Sequence, residues 1–251
     1  MDNDATCVLP NEMLAYVASF LVHDTQSRNA FARVCRRFCG VAHDVFDQTL
    51  AFQYSCRHGY TDIVWRFLKD GRVDPAADDN YLSIGPSNRN GRTDVVNAIG
   101  WSSYYGYTDV VQLLLADGRA DPAADDNWAI KTSSGNGHTE LVRLLLADGR
   151  VDPTTQNNCA ICQSSRLGHT DVVKLLLADG RIDPTADNNS AIQWSSKNGH
   201  ADIVKLLLAD ARVDPTATDN WAIVSSCSQG HSSVVRLLLA DGRADPAAHD
   251  N

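Results

Sequence analysis

Apolar residues in this chain recur on two scales. Across 139–147, Leu141, Val142, Leu144, Leu145 and Leu146 build the broad stripe of a helix buried along one side. Ahead of it, Trp128-Ala129-Ile130 opens a shorter helix that runs through Ser133-Ser134 to Gly137. The whole phrase, WAIKTSSGNGHTELVRLLLADGRVDPTTQNN from Trp128, returns from Cys159, Ser190 and Trp221. Gly106, Gly137, Gly168, Gly199 and Gly230 accordingly stand 31 residues apart. Neither short helix buries its stripe alone, so a fixed period of this size predicts a stacked all-α solenoid.

Local signals refine the unit. Asn127 is placed to cap a first helix over 129–136 that stops at Gly137, and Thr139 to cap the second, which Gly149 ends. Asp152-Pro153 forces extended backbone and turns the chain back. Ser133 and Ser134 are small where the first helix must approach its neighbour. The last copy keeps Val234, Val235, Leu237, Leu238 and Leu239 without polar substitution. Part of that stripe is expected to face water, making this repeat the least stable or a site of end-to-end pairing.

The first copy is disguised. Residues 50–59 align with 190–199, and Ile63 to Asp74 supplies a second helix and turn. From Asp74 to Asp121 the interval is 47 residues, which fits two repeats that gained one residue and lost sixteen. The expected organisation is therefore an N-terminal module, 1–48, and a repeat domain, 49–251. The repeats span 49–79, 97–127, 128–158, 159–189, 190–220 and 221–251, with an irregular insertion at 80–96.

Charge and cysteine usage narrow the function. A net charge of −9 and a pI near 5.2 lack the basic footprint of a nucleic-acid binder. No apolar run reaches membrane-spanning length, and the start carries no basic and apolar leader. Seven cysteines at irregular spacing read as reduced thiols of a cytoplasmic or nuclear protein.

Gly168-His169 followed by Val172-Val173-Lys174-Leu175-Leu176-Leu177 resembles the ankyrin repeat over roughly residues 49–251. That resemblance implies helix-turn-helix units that hold protein partners. The period is 31 rather than the usual 33, and the family's Thr-Pro-Leu-His opening is replaced by Ser190-Ala191-Ile192-Gln193 and its equivalents. Shorter fingers between repeats and a lost capping network are the expected consequences.

Residues 9–48 do not repeat. Leu9-Pro10-Asn11-Glu12 opens a helix that continues with Met13, Leu14, Val17, Phe20 and Leu21 at helical spacing. A second apolar run includes Val34-Cys35-Arg36-Arg37-Phe38. These blocks resemble an F-box, although Phe38 replaces the commoner tryptophan and Thr25-Gln26 a usual leucine. The resemblance implies a three-helix module that binds a Skp1-like protein, and so a cullin ubiquitin ligase, through Leu9, Pro10, Met13, Leu14, Val17, Phe20, Leu21, Val34 and Phe38. Read without it, the block is a helical cap on the solenoid. The combination is similar to F-box and ankyrin-repeat proteins of large DNA viruses and protists, which would place a viral chain in the host cell.

Other motifs carry no chemistry. Cys159 and Cys162 have redox or zinc spacing but no second pair. His138, His169, His200 and His231 lie one repeat apart, about 10 Å, too far to share an ion, and read as turn-stabilising residues. The aspartates of Asp-Gly-Arg and Asp-Asp-Asn read as solvated turn residues. No enzyme, cofactor or metal site is expected. Binding should fall where otherwise identical repeats differ: at Arg57, His58, Tyr104, Tyr105, Arg166, Lys197 and Gln229 just before each glycine, and at Trp101, on the face that ankyrin geometry makes concave. The reading is a protein-interaction adaptor, the substrate-recognition subunit of a ubiquitin ligase; the alternative is an ankyrin scaffold or inhibitor without ligase coupling.

Overall fold

The computed structural model describes residues 48–71, 73–75 and 98–244. The F-box-like residues and the insertion at 80–96 lie outside the described residues. The chain divides between residues 48 and 49, and the described residues belong, Gln48 aside, to the second unit.

The described residues form twelve helices in six pairs and no strand. They are α1 (Gln48–Arg57), α2 (Thr61–Asp70), α3 (Ala98–Tyr105), α4 (Thr108–Asp117), α5 (Ala124–Gly135), α6 (Thr139–Ala147), α7 (Thr155–Leu167), α8 (Thr170–Asp179), α9 (Ala186–Lys197), α10 (Ala201–Leu208), α11 (Ala217–Ser228) and α12 (Ser232–Asp241). From α3 onward each first helix packs on the next first helix, and from α2 each second helix packs on the next second helix. The architecture is a helix-turn-helix solenoid.

The core follows the stripes. In one repeat Ala129, Ile130, Leu141, Val142, Leu145 and Val151 are sealed from solvent, and their equivalents two repeats on are Ala191, Ile192, Ile203, Val204, Leu207 and Val213. Ser103, Ser134, Ser165 and Ser196 are fully buried, and their hydroxyls have no hydrogen-bond partner. What these positions require is small volume. In the last described pair the stripe opens: Leu239 is exposed and Val235 half-buried, whereas Val204, which holds Val235's slot one repeat earlier, is sealed.

Three inter-repeat bonds lock the register, and each revises an expectation from the sequence. Asn127 does not cap the helix that follows it. Asp125, Asp126 and Asn127 form a short left-handed turn, φ between 54° and 59°, and the Asn127 carboxamide oxygen accepts the Asp152 N–H at 2.7 Å. Asn158 accepts from Asp183 at 3.0 Å and Asn189 from Asp214 at 2.8 Å in the same way. Asparagine tolerates left-handed backbone better than most residues with a side chain, and it brings an acceptor to the inner end of the turn.

The Asp-Gly-Arg aspartates from Asp117 onward are largely shielded from solvent, whereas Asp70 of the first repeat is exposed. Asp179 is only 12% exposed at its side chain and is held by a fork from Arg181, Nε to Oδ1 at 2.6 Å and Nη2 to Oδ2 at 2.8 Å. The remaining arm, Nη1, donates to the Val151 carbonyl of the preceding repeat at 2.8 Å. The same clamp forms at Arg119, Arg150, Arg212 and Arg243. It does not need the glycine between them, since Ala211 fills that slot beside Arg212. Nor does Gly149 end α6, which stops at an extended Asp148.

Thr139 likewise caps nothing; it is the first residue of α6, and its hydroxyl donates to the Gly137 carbonyl. The N-cap position is held by His138, whose side chain reaches the repeat before it: Nε2 lies 3.1 Å from the Tyr104 carbonyl. His169, His200 and His231 do the same to Gly135, Arg166 and Lys197 at 2.9, 3.0 and 3.0 Å. A carbonyl only accepts, so Nε2 carries the proton in each ring.

Candidate interaction face

Each first helix buries one side and offers the other. In α5, Ala129, Ile130, Ser133 and Ser134 face the core, while Trp128, Lys131 and Thr132 are half-buried and Asn136 is exposed. Stacking in register lines up the matching positions of neighbouring helices, Cys162, Gln163 and Arg166 in α7 and Gln193, Trp194 and Lys197 in α9, as one continuous face.

Aromatic rings gather near both ends of it. At the first, the Arg57 guanidinium lies 4.4 Å from the centre of the Trp101 ring, and Trp101 meets Trp128 edge-on at 5.8 Å. Tyr104 stacks parallel to Trp128 at 6.0 Å, and Tyr105 stands edge-on to Tyr104 at 5.0 Å. Tyr54 and His58 stack at 3.8 Å beside them. At the far end Lys197 Nζ sits 4.8 Å from the Trp194 ring centre and 5.6 Å from that of Trp221, the two indoles themselves packed edge-on. Cation–π contact holds each cation over apolar surface.

The residues expected to bind therefore divide. Arg57, Tyr104 and Tyr105 form one cluster, with Tyr105 46% exposed, and His58 is an exposed neighbour. Arg166 and Lys197 lie in the same row of the face, while Gln229 is exposed at the end of the last first helix. Trp101 needs correction: only 8% of it is exposed, so it is the floor beneath Arg57, Tyr104 and Tyr105 rather than a contact surface. Trp128 and Trp221 were missed as surface residues, and Trp194, in the variable slot that Trp101 also holds, is half-buried rather than sealed. Trp128 and Trp221 open their repeats, and only the neighbouring helix shows that their rings remain half-open.

The profile of ankyrin repeats, in three copies, matches residues 99–188 and 181–250, more than half of the chain. This protein belongs to the ankyrin-repeat family. No curated protein matches it significantly. Ankyrin repeats form protein-protein interaction domains, and the first-helix face supplies the varied side chains such a domain needs.

Cys159 and Cys162 of this ankyrin domain lack the environment of reactive thiols. Cys162 is half-buried, and burial pushes its thiol up to about 11; burial also raises Cys159. Both stay protonated near neutrality, unlike a poised nucleophile. Cys56, Cys159, Cys162 and Cys227 form no disulfide among the described residues. Among the described residues no group of three or more His, Cys, Asp or Glu is placed to hold a metal, and no helix is long and apolar enough to cross a membrane.

Proposed function

We propose that this chain is a target-recognition adaptor: the ankyrin face selects a protein, and residues 1–48 couple it to a Skp1-cullin ubiquitin ligase. The observation that carries the recognition half is the first-helix face, where aromatic clusters with bound cations recur on a regular scaffold. Exposed aromatic and arginine side chains on rigid helices are the usual anchors of interfaces. The coupling half rests on the F-box-like pattern at Leu9, Pro10, Met13, Leu14, Val17, Phe20, Leu21, Val34 and Phe38. Ligase chemistry resides in the partners, and this chain supplies proximity. Cysteines that form no disulfide among the described residues fit a reducing compartment, the cytoplasm or nucleus.

Co-precipitation of Skp1 with the full chain tests the coupling. The wild type retains Skp1, and Leu9→Ala with Pro10→Ala loses it while the helical circular dichroism of the repeats is unchanged. A wild-type chain that never retains Skp1 leaves the second reading, an ankyrin scaffold or inhibitor, which the same face serves equally well.

A further inference from the structure

The charges of the first helices are sorted. The tracts 48–58, 98–105, 128–136, 159–167, 190–198 and 221–229 contain no Asp or Glu, in a chain that has 31 acidic residues and a net charge of −9. Their charged residues are Arg57, Lys131, Arg166 and Lys197. Arg57, Arg166 and Lys197 hold the same slot, two residues before the glycine that closes each helix, and Lys131 stands one helical turn before that slot in α5. All the second helices but the last carry carboxylates in their first turns, Asp62, Asp109, Glu140, Asp171 and Asp202. The solenoid thus has a cationic face within an acidic molecule.

Resting on the protein-binding role above, we propose that this face docks an acidic, extended segment of a partner protein. Its carboxylates meet Arg57, Lys131, Arg166 and Lys197, and its apolar side chains lie on the open edges of Tyr105, Trp128 and Trp221. Charge complementarity selects the occupant. Screening in physiological salt confines the net negative field to within about 8 Å of its sources, so the local row of cations governs docking. Lys131, Arg166 and Lys197 stand in three successive repeats, about 10 Å apart, close to the roughly 9 Å that three residues of polyproline-II chain span, and Arg57 lies two repeats before Lys131. A carboxylate on every third residue therefore finds the next cation. A nucleic-acid strand would bring equally spaced aromatics their bases, but its continuous phosphates would also run past the exposed Asp125, Asp126, Asp187 and Asp219 on the turns beside the face. Isolated carboxylates of a peptide avoid that rim.

A displayed library of random twelve-residue peptides, selected against the full chain, provides the probe. Selected peptides should be rich in Asp and Glu with interspersed apolar residues. Binding of the best peptide, synthesised with a fluorophore and measured by anisotropy, should weaken roughly tenfold or more in the double variant Arg166→Glu, Lys197→Glu. It should be unchanged by Lys174→Glu with Lys205→Glu on the second helices, and should weaken steadily with salt. Circular dichroism melting establishes that each variant is folded. Peptides that are neutral or basic, lose binding on Tyr105→Ala with Trp221→Ala, and ignore the charge reversals would overturn the acidic-partner proposal and leave the face as a protein-binding site. Peptides indifferent to every one of these substitutions would overturn both. Tighter binding of a twelve-nucleotide oligouridine than of any selected peptide would also overturn it.

Discussion

The His169 imidazole packs against Gly137, one repeat before it, while its Nε2 donates to the Gly135 carbonyl at 2.9 Å. A methyl group on Gly137 would come within 2.5 Å of His169 Nδ1, and the same apposition recurs for Gly106 with His138, Gly168 with His200 and Gly199 with His231. The glycine serves two ends at once, a φ of +77° and room for the next repeat's ring. Gly180 has the same φ of +77° but nothing near its missing side chain.

Gly137→Ala should consequently destabilise far more than Gly180→Ala. Left-handed backbone alone costs an alanine about 1–2 kcal/mol, and displacing the ring adds roughly 1–3 kcal/mol. Gly180→Ala should cost only the backbone share, about 1–2 kcal/mol, because nothing stands near the added methyl group. Urea unfolding of the two variants checks this; equal losses would refute the ring's part in it.

The asparagine turn separates backbone from side chain. Asn158→Gly keeps the left-handed turn but leaves the Asp183 N–H without its acceptor, a loss of about 1–3 kcal/mol. Asn158→Ala loses the acceptor and strains the turn as well, so it should be worse by about 1 kcal/mol. Amide exchange at Asp183 should accelerate in both variants, and the order of their urea midpoints should be wild type, glycine, alanine.

Acid should unfold the stack through its clamps. The guanidiniums two residues on hold Asp117, Asp148, Asp179, Asp210 and Asp241 below the ordinary carboxylate value of 3.8. Backbone and side-chain bonds from Thr154 and Thr185 lower Asp152 and Asp183. A carboxyl with a depressed folded pKa binds fewer protons in the native state than when unfolded. Its stabilisation is complete above 3.8 and disappears as pH falls through the folded pKa. Melting temperature should therefore drop below about pH 4, and less steeply in Arg150→Gln with Arg181→Gln. Identical slopes would show that the clamps carry no proton linkage.

The buried serines should behave as spacers. Removing an unsatisfied hydroxyl restores no lost bond and relieves desolvation, so Ser134→Ala should be neutral or slightly stabilising. Ser134→Leu forces α5 and α7 apart and should cost about 1–3 kcal/mol or more. Thermal melts of both variants suffice, and a clear loss in the alanine variant would mean the hydroxyl has a partner.

The sequence alone determined the solenoid, because a period of 31 residues with paired stripes has one way to bury them, by stacking. It also marked the slots before each glycine as the place where repeats differ, since identical neighbours make every departure visible. It could not assign the bonds between repeats. Asn127, Arg181 and His169 each looked like a local cap, turn or surface residue, because their partners stand 25 to 35 residues away and meet them only when helices stack. Nor could it tell Trp101 from Trp128, both tryptophans of a first helix: three neighbouring rings and an arginine cover one, and the stack leaves the other half-open. Periodicity fixes which residues share a face. Only the packing of one repeat on the next decides which side chains on that face are floor and which remain for a partner.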